Sequence, residues 1–444
     1  MTGSYPFLRH SDGAALFALQ EGRTVSVADF LREAAFLATM LPAHRYVANL
    51  CDADRETVAV GVAAALLRDQ ISLMPPNQTP AVLEDLAIDF PDLYCVHDGN
   101  LATGSLPALA YPDRVGTCAV AQAIPSFPAQ QPAIILFTSG STGRPMPHQK
   151  SWGSLVDGAL AAGRRLGIDA MKGGTIVGTV PQQHSYGFES TVLLALQHGL
   201  ALHSARPFYA GDIISCLEET TRPRILVTTP IHLRALLAES SALPPVDLVI
   251  SATAPLARRL ATDAEQRFEA PVAEIYGCSE AGQLAVRKPV ETEEWRCLDT
   301  VRLRQDASGT WAAQRMSPNE VLLNDVLELR GPDRFLLHGR SKDLVNIAGK
   351  RTSLAHLNHH LTSINGVADG IFVMPDESAD TTTRLMAFVV APSLSHDAIM
   401  AALRQRLDPA FLPRPLVIVD RLPRNPVGKL PHDAVRRMAT ERLR

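Results

Sequence analysis

The stretch Ala133–Pro145, AIILFTSGSTGRP, decides how this chain is read. Ala133–Phe137 is an apolar run of the length expected for a buried strand. It leads straight into Thr138, Ser139, Gly140, Ser141, Thr142 and Gly143. Glycines let backbone N–H groups close on an anion, and the hydroxyls add donors, so a loop of this kind after a strand suits polyphosphate. The same residue types also make a plain surface turn. A Walker A loop is excluded, because GxxxxGK[ST] occurs nowhere in the chain.

Outward from this stretch the pattern repeats. Short apolar runs stand at Thr175–Val180, Ile225–Val227, Leu248–Ile250 and Val272–Ile275, each leading into a turn and then a helical pattern. Earlier, apolar stretches such as Val58–Leu67 alternate with turn-rich segments, and Gln122–Gln131 reads as a linker. Repeated strand–turn–helix units predict an α/β fold, with parallel sheets flanked by helices and ligand groups at the strand ends. From about Thr300 the texture changes to short alternating strands (Val321–Leu323, Val326–Leu329, Phe335–His338), the expectation for a small β subdomain. The last hundred residues predict a small α+β domain. Its helices are Leu354–Leu361 and Asp397–Leu407, and its strands Gly370–Met374, Arg384–Val390 and Leu416–Val419.

Composition narrows the function classes. The chain has 444 residues, enough for two or three compact units, and 46% of them are hydrophobic. No apolar run has the length of a membrane span, and no signal peptide is visible. A net charge of −4 argues against nucleic acid as a partner. The six cysteines are scattered, without CxxC, which predicts reduced thiols and a cytoplasmic protein. Only six of the 42 basic residues are lysines (150, 172, 288, 342, 350 and 429), so a lysine inside a motif carries weight.

From the glycine-rich loop onward the chain resembles the adenylate-forming superfamily of acyl- and aryl-CoA synthetases, adenylation domains and luciferases. TSGSTGRP is similar to that family's phosphate-loop signature. PQQHSYG (181–187), SATAPL (251–256), EIYGCSEAG (274–282), Asn324-Asp325, HGRSKDLVNIAGKR (338–351) and LPRNPVGKL (422–430) follow in the family's order. The resemblance covers 131–430 and leaves the first 130 residues matching only in general texture. It implies an N-terminal ATP- and acid-binding domain over 1–339, a hinge at 340–343 and a mobile C-terminal lid domain over 344–444 carrying Lys429. Its reaction is activation of a carboxylic acid by ATP as acyl-AMP, then acyl transfer to the thiol of CoA or of a carrier protein's phosphopantetheine. The compact length is similar to that of bacterial AMP-ligases that load aryl or acyl starters.

The resemblance also implies roles. Lys429 would enter the site for adenylation, where a compact ammonium can bridge the substrate carboxylate and the α-phosphate. Glu280 would be the Mg²⁺-associated carboxylate, Ser279 a phosphate donor, and Tyr276 a neighbour of the adenine. Asp325 would accept from both ribose hydroxyls, with Arg340 adding donors from the same side. His184 would sit at the acyl pocket, walled by Ser251, Ala252, Thr253 and Ala254. Lys342 would be the hinge, with Gly349 and Arg351 beside the thiol channel in a second conformation.

Three features complicate this expectation. The lysine usual after the phosphate-loop proline is Met146 here, with Lys150 or Arg144 as candidate replacements. The acidic pair usual after the hinge motif is replaced by Thr352-Ser353-Leu354-Ala355. His356, His359 and His360 share a helix face without a carboxylate or cysteine near them, a weak pattern for a metal. A catalytically weakened nucleotide-binding or scaffold protein is the rival reading. Residues 344–444 carry 13 Lys/Arg against 9 Asp/Glu, a basic module in an acidic chain, suited to an anionic acceptor such as CoA or an acyl carrier protein.

Overall fold

Two large sheets and the helix Arg55–Leu67 between them organise the chain. The computed structural model describes all residues except 1–2, 21, 52–53, 76, 100–105, 113–122, 140–144, 341–343, 348–349, 375–384, 426–429 and 444.

The first sheet has six strands, ordered Pro145–Ser151, Pro132–Ser139, Ile71–Met74, Tyr46–Asn49, Leu93–His97 and Ala108–Ala110. All neighbours run parallel except Pro145–Ser151, which folds back antiparallel on Pro132–Ser139. The second sheet has eleven strands. Its parallel centre runs through Val272–Cys278, Leu248–Ser251, Arg224–Thr228, Thr175–Gly178, Ala201–His203 and Leu16–Gln20, with antiparallel strands on both flanks.

Arg55–Leu67 is capped by Asp54, whose side chain accepts from Thr57 N, and it is buried on every side. It packs on strands of the first sheet and on Ala201–His203 of the second. Its run of Val and Ala therefore has no polar face, as a helix between two layers requires. The helix Trp152–Leu166 starts on a Ser151 cap and ends at Gly167 in the left-handed region.

The structure corrects three expectations. The segment read as a linker contains the strand Ser126–Pro128, paired with Ser4–Pro6. Buried Phe127 meets Phe7 and Trp152 edge-on there, so one apolar residue among prolines anchors it. Second, Pro132–Ser139 and Val272–Cys278 are followed by antiparallel partners, not helices, because each turns back through a motif loop. Third, the small β subdomain is a three-stranded sheet of Val301–Asp306, Gly309–Gln314 and Val321–Leu322. Asp325–Leu329 and Arg334–Arg340 instead extend the eleven-stranded sheet through Trp295–Cys297.

The C-terminal residues form their own core. Leu344–Ile347 and Lys350–Ser353 pair as a hairpin, and the helix Leu354–Thr362 follows. Strands Asp369–Val373, Met386–Val390 and Leu416–Ile418 make a separate sheet, on which the helix His396–Arg404 buries Ile399 and Leu403. A small α+β domain is therefore present, as expected.

Candidate active site

The phosphate-loop candidates Gly140, Ser141, Thr142 and Gly143 lie outside the described residues, as do Lys342, Gly349 and Lys429. Their flanks are described. Thr138 and Ser139 end the strand Pro132–Ser139, and Met146 pairs with Thr138 across the hairpin. Met146 is 53% exposed, so no packing role explains its place at this tip.

Four residues further along the same strand, Lys150 is partly buried, and its ammonium donates to the backbone carbonyl of Glu280 at 2.6 Å. Burial lowers its pKa, while the neighbouring Glu189 carboxylate acts in the opposite direction. The hydrogen bond crosses from the six-stranded sheet to the hairpin Val272–Cys278/Gly282–Arg287 of the other sheet, bringing the phosphate loop's root to YGCSEAG. Gly277 permits the tight approach inside that hairpin, since a Cβ there would collide with the Gly282 carbonyl. Glu280 itself is half-buried.

Tyr276 is buried in an aromatic cluster, with ring centroids 5.7 Å from Trp295 and 5.6 Å from Phe335. Its hydroxyl donates to Asp325 Oδ2 at 2.8 Å, and Asp325 faces Arg340 in the strand register. The three residues expected around the nucleoside are thus neighbours. Part of the Tyr276 ring already packs against protein, and its hydroxyl orients the Asp325 carboxylate.

The segment Ser251–Pro255 leaves the end of a parallel strand. Thr253 has φ 78°, a conformation costly for a β-branched residue. Buried Glu274 holds the loop's far end by accepting from Leu256 N at 2.8 Å, and Arg287 donates to its second oxygen at 2.6 Å. The Tyr186 hydroxyl lies 3.0 Å from the Thr228 carbonyl and 3.1 Å from the Ile250 carbonyl, tying the PQQHSYG motif to two strand ends. Within that motif a Cβ at Gly187 would clash with the Pro181 carbonyl, which explains the glycine six residues after the proline. His184 stands half-buried at the turn before Ser185–Gly187.

Two site-building residues were missed at the sequence level. Arg55 is fully buried and donates to the carbonyls of Gly178 (2.5 Å) and Val180 (2.9 Å) and to Gln182 Oε1 (3.3 Å). It holds the backbone entering PQQHSYG, and burial pushes its pKa down to about 9. Glu189, on the π-helical turn Phe188–Leu193, is buried, and burial raises its pKa. It accepts from Ser185 Oγ at 2.5 Å and Gln283 N at 3.2 Å. Position eight after a proline and position one of a helix carry no motif, so neither residue had a sequence signal beyond its charge in an apolar run.

Among the described residues no group of three or more His, Cys, Asp or Glu could hold a metal ion. A lone half-buried carboxylate such as Glu280 does fit magnesium, which keeps several waters and shares phosphate oxygens. No described helix is long and apolar enough to cross a membrane.

Comparison with known proteins gives the family. Residues 78–302 match the AMP-binding enzyme family, and residues 359–429 match the AMP-binding enzyme C-terminal domain. The chain is 29% identical over 271 residues to a 4-coumarate–CoA ligase of Rhodobacter capsulatus, covering 61% of this chain and 66% of that protein. It is 31% identical over 307 residues to the 4-coumarate–CoA ligase of Halorhodospira halophila, covering 66% and 73%. A 3,4-dihydroxybenzoate–[aryl-carrier protein] ligase of Bacillus anthracis is 21% identical over 319 residues, covering 69% and 74%. The ATP-bound structure of MatB from Rhodopseudomonas palustris superposes with a TM-score of 0.82 at 18% identity, covering 98% of each chain.

Proposed function

This chain belongs to the AMP-binding enzyme family, an AMP-forming acid–thiol ligase in class, and we propose that it activates an aryl or acyl carboxylate as its acyl-AMP and transfers the acyl group to the thiol of CoA. The observation that carries this reading is the Tyr276–Asp325 bond, opposite Arg340 and on the hairpin that presents Ser279 and Glu280. On this reading it brings the residues assigned to the nucleoside next to the hairpin assigned to the phosphates.

Adenylation brings two anions together, so fixed donors and cations supply most of the catalysis. Asp325 accepts from the ribose hydroxyls, its orientation set by Tyr276. Magnesium, when bound, neutralises charge on the phosphate oxygens, and Glu280 is the residue that would hold it. Lys429 bridges the attacking carboxylate and the α-phosphate. His184 and the loop Ser251–Ala254 line the acyl pocket, while domain rotation about 340–343 removes Lys429 and brings Gly349 and Arg351 to the thiol channel.

A carrier-protein thiol is the second acceptor, favoured by the excess of basic residues over 344–444 and by similarity to an aryl-carrier-protein ligase. Pyrophosphate release with a panel of aryl and alkyl acids tests the activation step, and thioester formation on CoA and on a holo-carrier tests the acceptor. Silence with every acid would return the chain to the scaffold reading.

A further inference from the structure

We propose that Lys150 is a positioning residue that sets the Glu280 turn, with the buried Glu189 carboxylate as its electrostatic counterpart. The proposal rests on the ligase reading above. Met146, His148 and Lys150 alternate onto one face of their strand, and four residues place Lys150 about 13 Å from Met146. Lys150 is therefore not a displaced phosphate-loop lysine at the hairpin tip. Its ammonium turns inward to the Glu280 carbonyl, at the root of the hairpin.

Glu189 grips the same turn from the other side, accepting from Gln283 N at 3.2 Å. It also accepts from Ser185 Oγ, one residue past His184. Gly282 lies between the two anchor points at φ +74°, and a Cβ there would stand 3.2 Å from Glu189 Oε2. The turn 280–283 is thus pinned at its first carbonyl by a cation and at its last amide by an anion. Three motif segments meet at these two side chains: the phosphate-loop hairpin, the His184 segment and the Glu280 hairpin. Fixing the Glu280 backbone fixes where its carboxylate projects. Partners of this outer kind typically change metal affinity or activity by about 10–100-fold when removed.

The test uses the full chain and the variants Lys150→Met, Lys150→Arg, Glu189→Gln and the double variant Lys150→Met/Glu189→Gln. Lys150→Met should lower kcat for pyrophosphate release about tenfold or more and raise the half-saturating Mg²⁺ concentration about tenfold, with the KM for ATP within about twofold of wild type. Lys150→Arg, which keeps a charged donor, should retain more of both. Titration of ATP by calorimetry at varied Mg²⁺ should show the same weakened magnesium dependence without turnover. The double variant leaves no orphan charge, so its Tm should recover relative to either single variant while the raised Mg²⁺ requirement persists. Recovery of rate and Mg²⁺ requirement together with Tm would overturn the positioning role. So would a raised KM for ATP with an unchanged Mg²⁺ requirement, the signature of a direct phosphate contact. If the wild-type chain releases no pyrophosphate with any acid, the ligase reading fails, and calorimetry alone still decides for or against the Lys150 contact.

Discussion

The residues before Gln131 and those after it contribute to the candidate site by different means. After Gln131, the candidate site residues sit in motifs that follow strands: TSGSTGRP, PQQHSYG, SATAPL and YGCSEAG. Before it, the contribution is internal. Leu16–Gln20 and Arg23–Ser26 complete the eleven-stranded sheet, Arg55–Leu67 separates the two sheets, and Arg55 braces the backbone entering PQQHSYG. A loop can be recognised by its residues alone, whereas a brace is defined only by what it touches. Substitutions in the two regions should therefore fail differently, one in rate and the other in stability.

Arg55→Ala should show the largest effect, a loss of about 3 kcal/mol in urea unfolding, because it opens a cavity and strips donors from two buried carbonyls. A variant as stable as wild type would break the distinction. Lys429→Ala should leave Tm unchanged and slow adenylation by about 10² or more, while acyl transfer from supplied acyl-AMP survives. Equal loss of both half-reactions in stopped-flow assays would count against the two-conformation cycle. Asp325→Ala should raise the KM for ATP about tenfold, and Tyr276→Phe about threefold, since the latter removes only the bond that orients the carboxylate.

The smallest effect sharpens the contrast through pH. Burial pushes Glu56 up to about 8 from its ordinary value of 4.5, and the neighbouring charges of Glu33 and Asp54 add to the rise. Between these values the folded chain holds a proton that the unfolded chain releases, so this contribution to stability is full below pH 4.5 and is lost as pH rises through 8. Glu56→Gln should remove at least about 1 kcal/mol of that decline, measured by unfolding at pH 6 and pH 8.5. An identical decline in both proteins would reject the assignment.

Thr253 shows how far motif reading reaches. Its left-handed φ of 78° is a backbone that glycine would adopt without strain and a β-branched residue rarely does. The motif was read as a wall of the acyl pocket, and this backbone conformation at a threonine was not legible from it. Tyr276 and Asp325, 49 positions apart, were both read from motifs as candidate site residues, yet their bond depends on an antiparallel extension of the sheet that no local pattern specified. The segment 122–131 failed in the opposite sense. Its prolines read as a linker, while one buried phenylalanine makes it part of the core.

By itself the sequence determined the α/β class and the small C-terminal α+β unit, and it marked the loops proposed to carry chemistry. Period, turn residues and phosphate-binding glycines act within a few positions of one another, so they are written locally. Tertiary structure alone decided the partners of Lys150, Glu189 and Arg55, and which flanking strands extend the eleven-stranded sheet. A buried charge is tolerated only where distant groups satisfy it, and those groups become neighbours only once the chain has folded.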